Sequence, residues 1–299
     1  MLIAWAFLAF ADDFLFGTIE PEILPNTPAW DKARLGKRLF FDSRLGQGEA
    51  QGKSCSSCHD LLLNSSGTGL GHLRIPSIFN ISKNYVFYYD ASVGDLREQI
   101  QRSLFSPIEL ASSKERISEV LEKDIFYEKE FMRVYKKGPS LELAIDALEQ
   151  FERALTTLNS PFDNFLKQKG NLEPSARHGL ELFKSYGCIS CHNGKNLGAN
   201  TSVTLKNTFY DNCTNTDAAR RAGLVPDSEG FFNTKVPALR NSTKVTHRRY
   251  AGEERDLRFF IRLQSLCTTG LNMEDDMVDD IYSFLKSLEG DIPEILHEN

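Results

Sequence analysis

Leu141, Ile145, Leu148, Phe151, Leu155 and Leu158 recur at steps of three and four residues, the spacing of one apolar helix face. Gly138-Pro139-Ser140 opens this predicted helix and Asn159-Ser160-Pro161 closes it. Near the C-terminus Met277, Ile281, Phe284, Leu285 and Leu288 predict a second amphipathic helix, stopped near Gly290. Strand-like alternation is sparse, and residues 193–235, rich in Asn, Thr and Gly, read mainly as loop. The pattern predicts a mainly α fold.

The helical pattern is organised by a repeat. Ala33-Arg34-Leu35-Gly36-Lys37-Arg38-Leu39-Phe40 and Ala176-Arg177-His178-Gly179-Leu180-Glu181-Leu182-Phe183 both read Ala-Arg-x-Gly-x-x-Leu-Phe. Each reads as a short helical turn presenting apolar residues, and each precedes a Cys-x-x-Cys-His pentapeptide: Cys55-Ser56-Ser57-Cys58-His59 and Cys188-Ile189-Ser190-Cys191-His192. Such self-similarity predicts two related domains. The first copy has ten more residues between repeat and pentapeptide, filled by the polar loop 46–53. The expected boundary lies between Pro161 and Pro174, giving domains at 12–163 and 164–299 after a signal-like segment at 1–11.

The pentapeptide is the attachment signature of c-type haem. Its thiols add across the porphyrin vinyl groups, and the following histidine is left as proximal iron ligand. Chance does not explain it: with six Cys and six His in 299 residues, about 0.002 copies are expected per random chain. A four-cysteine zinc site is the alternative, but the two cysteine pairs lie far beyond zinc-ribbon spacing. The fold expected is therefore mainly α, with two cytochrome c-like domains that each carry one covalent haem c.

Covalent haem c is assembled outside the bacterial cytoplasm, so the motifs imply export to the periplasm. Residues 2–11 form a short apolar run ending Ala9-Phe10-Ala11, which fits a small-x-small cleavage site although no lysine or arginine precedes it. Ten residues are too few to span a bilayer as a helix, and the chain reads as not integral to a membrane. A net charge of −6 argues against nucleic acid as the main partner. Cys213 and Cys267 remain outside the motifs, and spacing alone leaves open a disulfide or two separate thiols.

From residue 31 to residue 290 the chain resembles the bacterial di-haem cytochrome c peroxidases, the family that includes MauG. The resemblance rests on Leu35-Gly36-Lys37-Arg38-Leu39-Phe40-Phe41-Asp42, the first haem motif, Tyr89-Asp90, Asp95-Leu96-Arg97-Glu98-Gln99 and Pro107-Ile108-Glu109. Ser160-Pro161-Phe162-Asp163, the second motif and Val236-Pro237-Ala238-Leu239-Arg240-Asn241 complete it. It implies a peroxidatic first haem on His59, with Glu109 as distal acid/base and Gln99 as distal amide, and an electron-transfer second haem on His192. A carboxylate suits this chemistry because peroxide must lose a proton on binding, and the departing oxygen must gain one.

The chain also departs from the family pattern. Tyr89 stands where the family keeps a tryptophan between the haems. Gln264 falls where peroxidases supply a distal methionine to the second haem; Met273, Tyr250 and His247 are the other candidates there, and His72 is a candidate distal ligand of the first haem. The positions of the family's inter-domain calcium site hold Arg74, Val245 and His247, and an arginine there would repel the ion, so calcium is not expected. The resemblance implies reduction of hydrogen peroxide with electrons from a small redox protein, a cytochrome c or a cupredoxin, in a monomer or a homodimer. A MauG-like oxidation of residues in a partner protein, and a di-haem electron carrier without enzyme activity, stay open beside it.

Overall fold

The computed structural model describes residues 15–61, 65–66, 75–206, 226–245, 249–250 and 253–298, the pairs 65–66 and 249–250 as backbone only. The chain divides into two compact units, each discontinuous in sequence. The first-motif unit comprises Pro21–Ser82, Val93–Thr156 and Pro293–Asn299. The second-motif unit comprises the described part of Met1–Glu20 together with Lys83–Ser92 and Thr157–Ile292.

The first-motif unit is built on α1 (Pro28–Phe40), α2 (Leu96–Phe105), α3 (Lys114–Glu122), α4 (Ile125–Tyr135) and α5 (Leu141–Ala154). Their starts follow from local chemistry. The Thr27 hydroxyl accepts from the Trp30 amide ahead of Pro28, Asp95 accepts from Glu98, and Ser140 from Leu143, so each satisfies an amide that the helix itself cannot. The second-motif unit carries α6 (Pro161–Leu166), α7 (Pro174–Ser185), α8 (Leu257–Thr269) and α9 (Asp275–Lys286). Among the described residues strands form three two-stranded antiparallel pairs: β1 (His59–Asp60) with β2 (Ser65–Ser66), β3 (Ser202–Lys206) with β4 (Phe231–Lys235), and β5 (Arg249–Tyr250) with β6 (Glu253–Glu254).

One helix pair dominates each unit, α1 on α5 and α7 on α9. The repeat explains both. A Cβ on Gly36 would lie 1.9 Å from the Ala147 carbonyl oxygen, and one on Gly179 would lie 1.9 Å from that of Asp280. Only glycine lets the two backbones approach this closely. One turn later Phe40 meets Phe151 with ring centroids 5.2 Å apart, and Phe183 meets Phe284 at the same 5.2 Å. All four phenylalanines are buried, each worth about 1.5–3 kcal/mol in removed apolar surface. Residues 36, 40, 147 and 151 thus correspond to 179, 183, 280 and 284.

The structure revises three expectations. The repeats are not short turns but parts of longer helices, the last eight residues of a 13-residue helix and the middle of a 12-residue one. The helix from Leu141 ends at Ala154 rather than near 158, because Leu155 leaves helical geometry and gives its carbonyl to the Asn80 amide. Within the stretch read mainly as loop, β3 and β4 pair over five residues from Ser202↔Lys235 to Lys206↔Phe231, a ladder whose partners are too distant in sequence to show as a local pattern. Residues 1–11, His72, Arg74, Cys213 and His247 lie outside the described residues, as does the side chain of Tyr250. Cys267 is disulfide-bonded. Among the described residues no helix is long and apolar enough to cross a membrane.

Candidate haem sites

Both Cys-x-x-Cys-His segments fold the same way. Cys55–Ser57 and Cys188–Ser190 are single 3-10 turns, closed by Cys58 at φ −108°, ψ −36° and by Cys191 at φ −107°, ψ −38°. The amide of the second cysteine donates to the carbonyl of the first at 3.1 and 3.3 Å. The His59 ring lies 6.4 Å from Phe40, and the His192 ring 6.4 Å from Phe183, so each candidate ligand is seated on its helix pair.

The four motif thiols are free, and burial pushes the Cys55 thiol up and that of Cys188 to about 11. Burial lowers the pKa of His192 and takes that of His59 down to about 4, which keeps both imidazoles neutral and able to bind iron. His192 Nδ1 lies 3.2 Å from the Leu197 carbonyl oxygen, leaving Nε2 for a metal in the usual arrangement of a ligating histidine. A proline carbonyl favours the charged form of each ring, Pro76 at His59 and Pro237 at His192, but His59 Nδ1 makes no hydrogen bond of ordinary geometry. Two turns of matched geometry, neutral histidines and free thiols fit covalent haem. The zinc alternative finds no ligand set, since among the described residues no three His, Cys, Asp or Glu side chains converge as a metal site requires.

Two of the predicted polar groups, Gln99 and Glu109, fold into the same unit as the first motif. Gln99, on α2, donates through Nε2 to Ser103 Oγ at 2.9 Å, while its Oε1 is buried without a hydrogen-bond partner. Glu109 sits half-buried in the turn after α2, its amide bonded to the Ser106 carbonyl. Its charge acts on both Cys55 and Cys58, raising both thiols. Sequence reasoning missed Glu152 on α5, which also acts on Cys55 and is itself pushed up to about 8 by burial and by the neighbouring Glu149. A signal was present: Glu152 falls four residues after Leu148 and seven after Ile145, on the apolar face.

In the second-motif unit the ligand is held by a chain of contacts. The Arg240 guanidinium meets the Asp163 carboxylate through two bonds of 2.8 and 2.9 Å, with both side chains 1% exposed. Asp163 also accepts from the Ser160 hydroxyl and the Ile19 amide. Arg240 donates to the Lys195 carbonyl as well, and Leu239 donates to Leu197, so the pair fixes the segment whose Leu197 carbonyl orients His192. Tyr89, half-buried, belongs to this unit, and its carbonyl accepts from the Lys235 amide at 2.7 Å. Gln264 is exposed on α8, whereas Met273 is 2% exposed and packs into the core with Val278 and Ile281.

Residues 30–171 match the family described as di-haem cytochrome c peroxidase. A cytochrome c551 peroxidase from Nitrosomonas europaea is 32% identical over 278 residues, covering 88% of this chain and 81% of that one. The cytochrome c peroxidase Ccp of Escherichia coli is also 32% identical over 90% of this chain, which spans only 60% of that longer protein. A crystal structure of a MauG-like protein associated with microbial copper homeostasis matches the fold with a TM-score of 0.71 at 22% identity, over 91% of this chain and 93% of that one. With both Cys-x-x-Cys-His turns in place and relatives aligned across both units, the chain belongs to the di-haem cytochrome c peroxidase / MauG family of oxidoreductases.

Proposed function

We propose that this protein reduces hydrogen peroxide to water in the periplasm, H2O2 + 2 e⁻ + 2 H⁺ → 2 H2O, with electrons from a small redox protein. Cys55 and Cys58 would hold the first haem and His59 its iron; Cys188, Cys191 and His192 would do the same for the second. When bound, the first haem supplies the metal on which the O–O bond is reduced, and the second stores and relays electrons. The observation that carries this reading is the half-buried Glu109 carboxylate within electrostatic reach of the first motif's cysteines.

Glu109 takes the proton that peroxide loses and returns it to the departing oxygen. The Gln99 side chain, already tethered to Ser103 through Nε2, has its buried Oε1 available to accept from the peroxide O–H. Tyr89 supplies an oxidisable ring for electron exchange between the haems, at the cost of releasing a phenol proton. A MauG-like action on a partner protein would use the same residues. The test is Glu109→Gln in the holoenzyme. We expect peroxide turnover to fall by about 10²–10⁴-fold, the usual contribution of a general acid/base, with both haem spectra retained. Full activity in this variant would remove Glu109 from the mechanism.

A further inference from the structure

Glu152 breaks the likeness between the two helix pairs. It follows Phe151 as Leu285 follows Phe284, and Leu285 is 3% exposed in the apolar core of its unit. Glu152 is 8% exposed, and its Oε2 is buried with no hydrogen-bond partner. A carboxyl in a leucine's place costs stability unless something uses it. Its surroundings point to the first haem: Phe151 packs on Phe40, Phe40 faces the His59 ring, and the Glu152 charge reaches Cys55.

No nearby cation is assigned to it. On its own helix Glu149 is bonded to Arg97 and Arg153. From α1, Lys32 pairs with Asp146, Arg34 with Glu298, Lys37 donates to the Ile295 carbonyl, and Arg38 lies over the Phe126 ring. From α2, Arg97 is spent on Glu149 and Arg102 pairs with Glu98. From α3, Arg116 pairs with Glu119, as does Lys123 just beyond its end, while Lys114, Glu115 and Glu122 are exposed. The motif turn adds Cys55, on which Glu109 also acts.

We propose that Glu152 is a proton-exchanging acid of the first haem site, releasing its proton when that haem loses an electron and recovering it on reduction. In balance, ferrous haem and the Glu152 carboxylic acid become ferric haem and the Glu152 carboxylate, with one proton passed to solvent and one electron to a one-electron acceptor. The physical cause is the added positive charge on the iron, which favours a carboxylate in surroundings too poorly solvated to screen it. Burial already holds the acid neutral near neutral pH, with a value of about 8, so a modest rise in local positive charge is enough to ionise it. Leu285 cannot respond in this way, so only the first haem would be proton-coupled through this position. The idea deepens the reading of the first unit as the peroxide site, but its test uses no peroxide, so either can fail alone.

The experiment is a spectroelectrochemical titration of the holoenzyme from mildly acidic pH up to about pH 8, the value of the buried neutral acid, with a soluble redox mediator as electron acceptor. One of the two haem transitions should move to lower potential as pH rises, approaching 59 mV for each tenfold fall in proton concentration, the value for one proton per electron. In Glu152→Gln and Glu152→Leu that transition should become flat. Redox-induced infrared difference spectra should show a neutral carboxylic acid band that vanishes on oxidation in the native protein and is missing in Glu152→Gln. If Glu152→Leu fails to fold, the near-isosteric Gln variant still decides. A slope that survives in Glu152→Gln would place the proton on a haem propionate or elsewhere and overturn the proposal, as would a native protein with two flat transitions.

Discussion

The two units repeat one design and diverge where chemistry would differ. A Cβ on Gly36 or Gly179 would lie the same 1.9 Å from a partner-helix carbonyl oxygen, the tilted ring pairs Phe40–Phe151 and Phe183–Phe284 meet at the same 5.2 Å, and the closing cysteines Cys58 and Cys191 agree within a few degrees. Against that shared frame, the second-motif unit is closed around its histidine: His192 Nδ1 has the Leu197 carbonyl, and Leu285 fills the core beside Phe284. The first-motif unit keeps unsatisfied polar atoms in the corresponding region, at His59 Nδ1, Gln99 Oε1 and Glu152 Oε2. The second-motif unit is not free of such atoms, since Asn200 Oδ1 is also buried without a hydrogen bond; the contrast lies at the helix pair, where Glu152 takes the place of the buried Leu285. Native proteins leave buried polar atoms unsatisfied rarely, and such atoms call for a role.

The strongest way to break the comparison is haem attachment itself. Because both turns share one geometry, both should load: the exported protein should carry two haems by pyridine haemochrome assay, Cys188→Ala only the first, and Cys55→Ala only the second. A native protein with a single haem would show that the common geometry does not carry a common chemistry.

Stability tests the second difference. Asp163→Ala leaves the Arg240 guanidinium buried without its counter-charge, which should cost about 3–5 kcal/mol and loosen the segment that orients His192. Arg97, Arg153 and Arg44 in the other unit keep side-chain exposures of 32%, 32% and 46% in their pairs. Arg97→Met should accordingly cost no more than about 1 kcal/mol. Urea denaturation followed by circular dichroism compares the two, and similar losses would mean that burial of the Asp163 pair is not what holds its unit together.

A smaller effect should follow pH. Burial raises the Glu152 carboxyl from its unfolded value near 4.3 to about 8 in the fold, so between these limits the unfolded chain binds fewer protons at this site. Its contribution is fully present below about pH 4.3 and is lost progressively as pH rises toward 8. In the reduced holoprotein Glu152→Leu should therefore gain stability at pH 8, on the order of 1–3 kcal/mol, and gain least at pH 4. A gain that does not depend on pH would mean that the carboxyl is not neutral in the fold.

Much of this was legible in the residues. Cys55-Ser56-Ser57-Cys58-His59 and its second copy are local chemistry, because thiol spacing and an adjacent imidazole suffice for attachment wherever the turn forms. The repeat foretold two related helical segments but not their length or partner helices, and Ser140 marked the start of α5, since caps act within a few residues; Pro161 opens α6 instead of closing α5. The β3–β4 ladder was not legible, because Ser202 and Lys235 are joined by tertiary pairing and no local alternation announces it. Glu152 was passed over for the same reason: its helical position was readable, but its lack of a partner depends on which side chains surround it.

By itself, then, the sequence determined two haem-attachment motifs and two copies of a glycine-centred helix, set by spacing along a few turns of chain, while the candidate acid Glu109 was named only through the family resemblance. Tertiary structure alone decided that residues 83–92 fold with the second-motif unit and residues 293–299 with the first. It also decided that Asp163 finds Arg240 across 77 residues, and that position 152 is enclosed with a carboxyl where its twin encloses a leucine. Those facts depend on burial and on charges brought together by folding, and neither quantity is a property of a residue's neighbours in sequence.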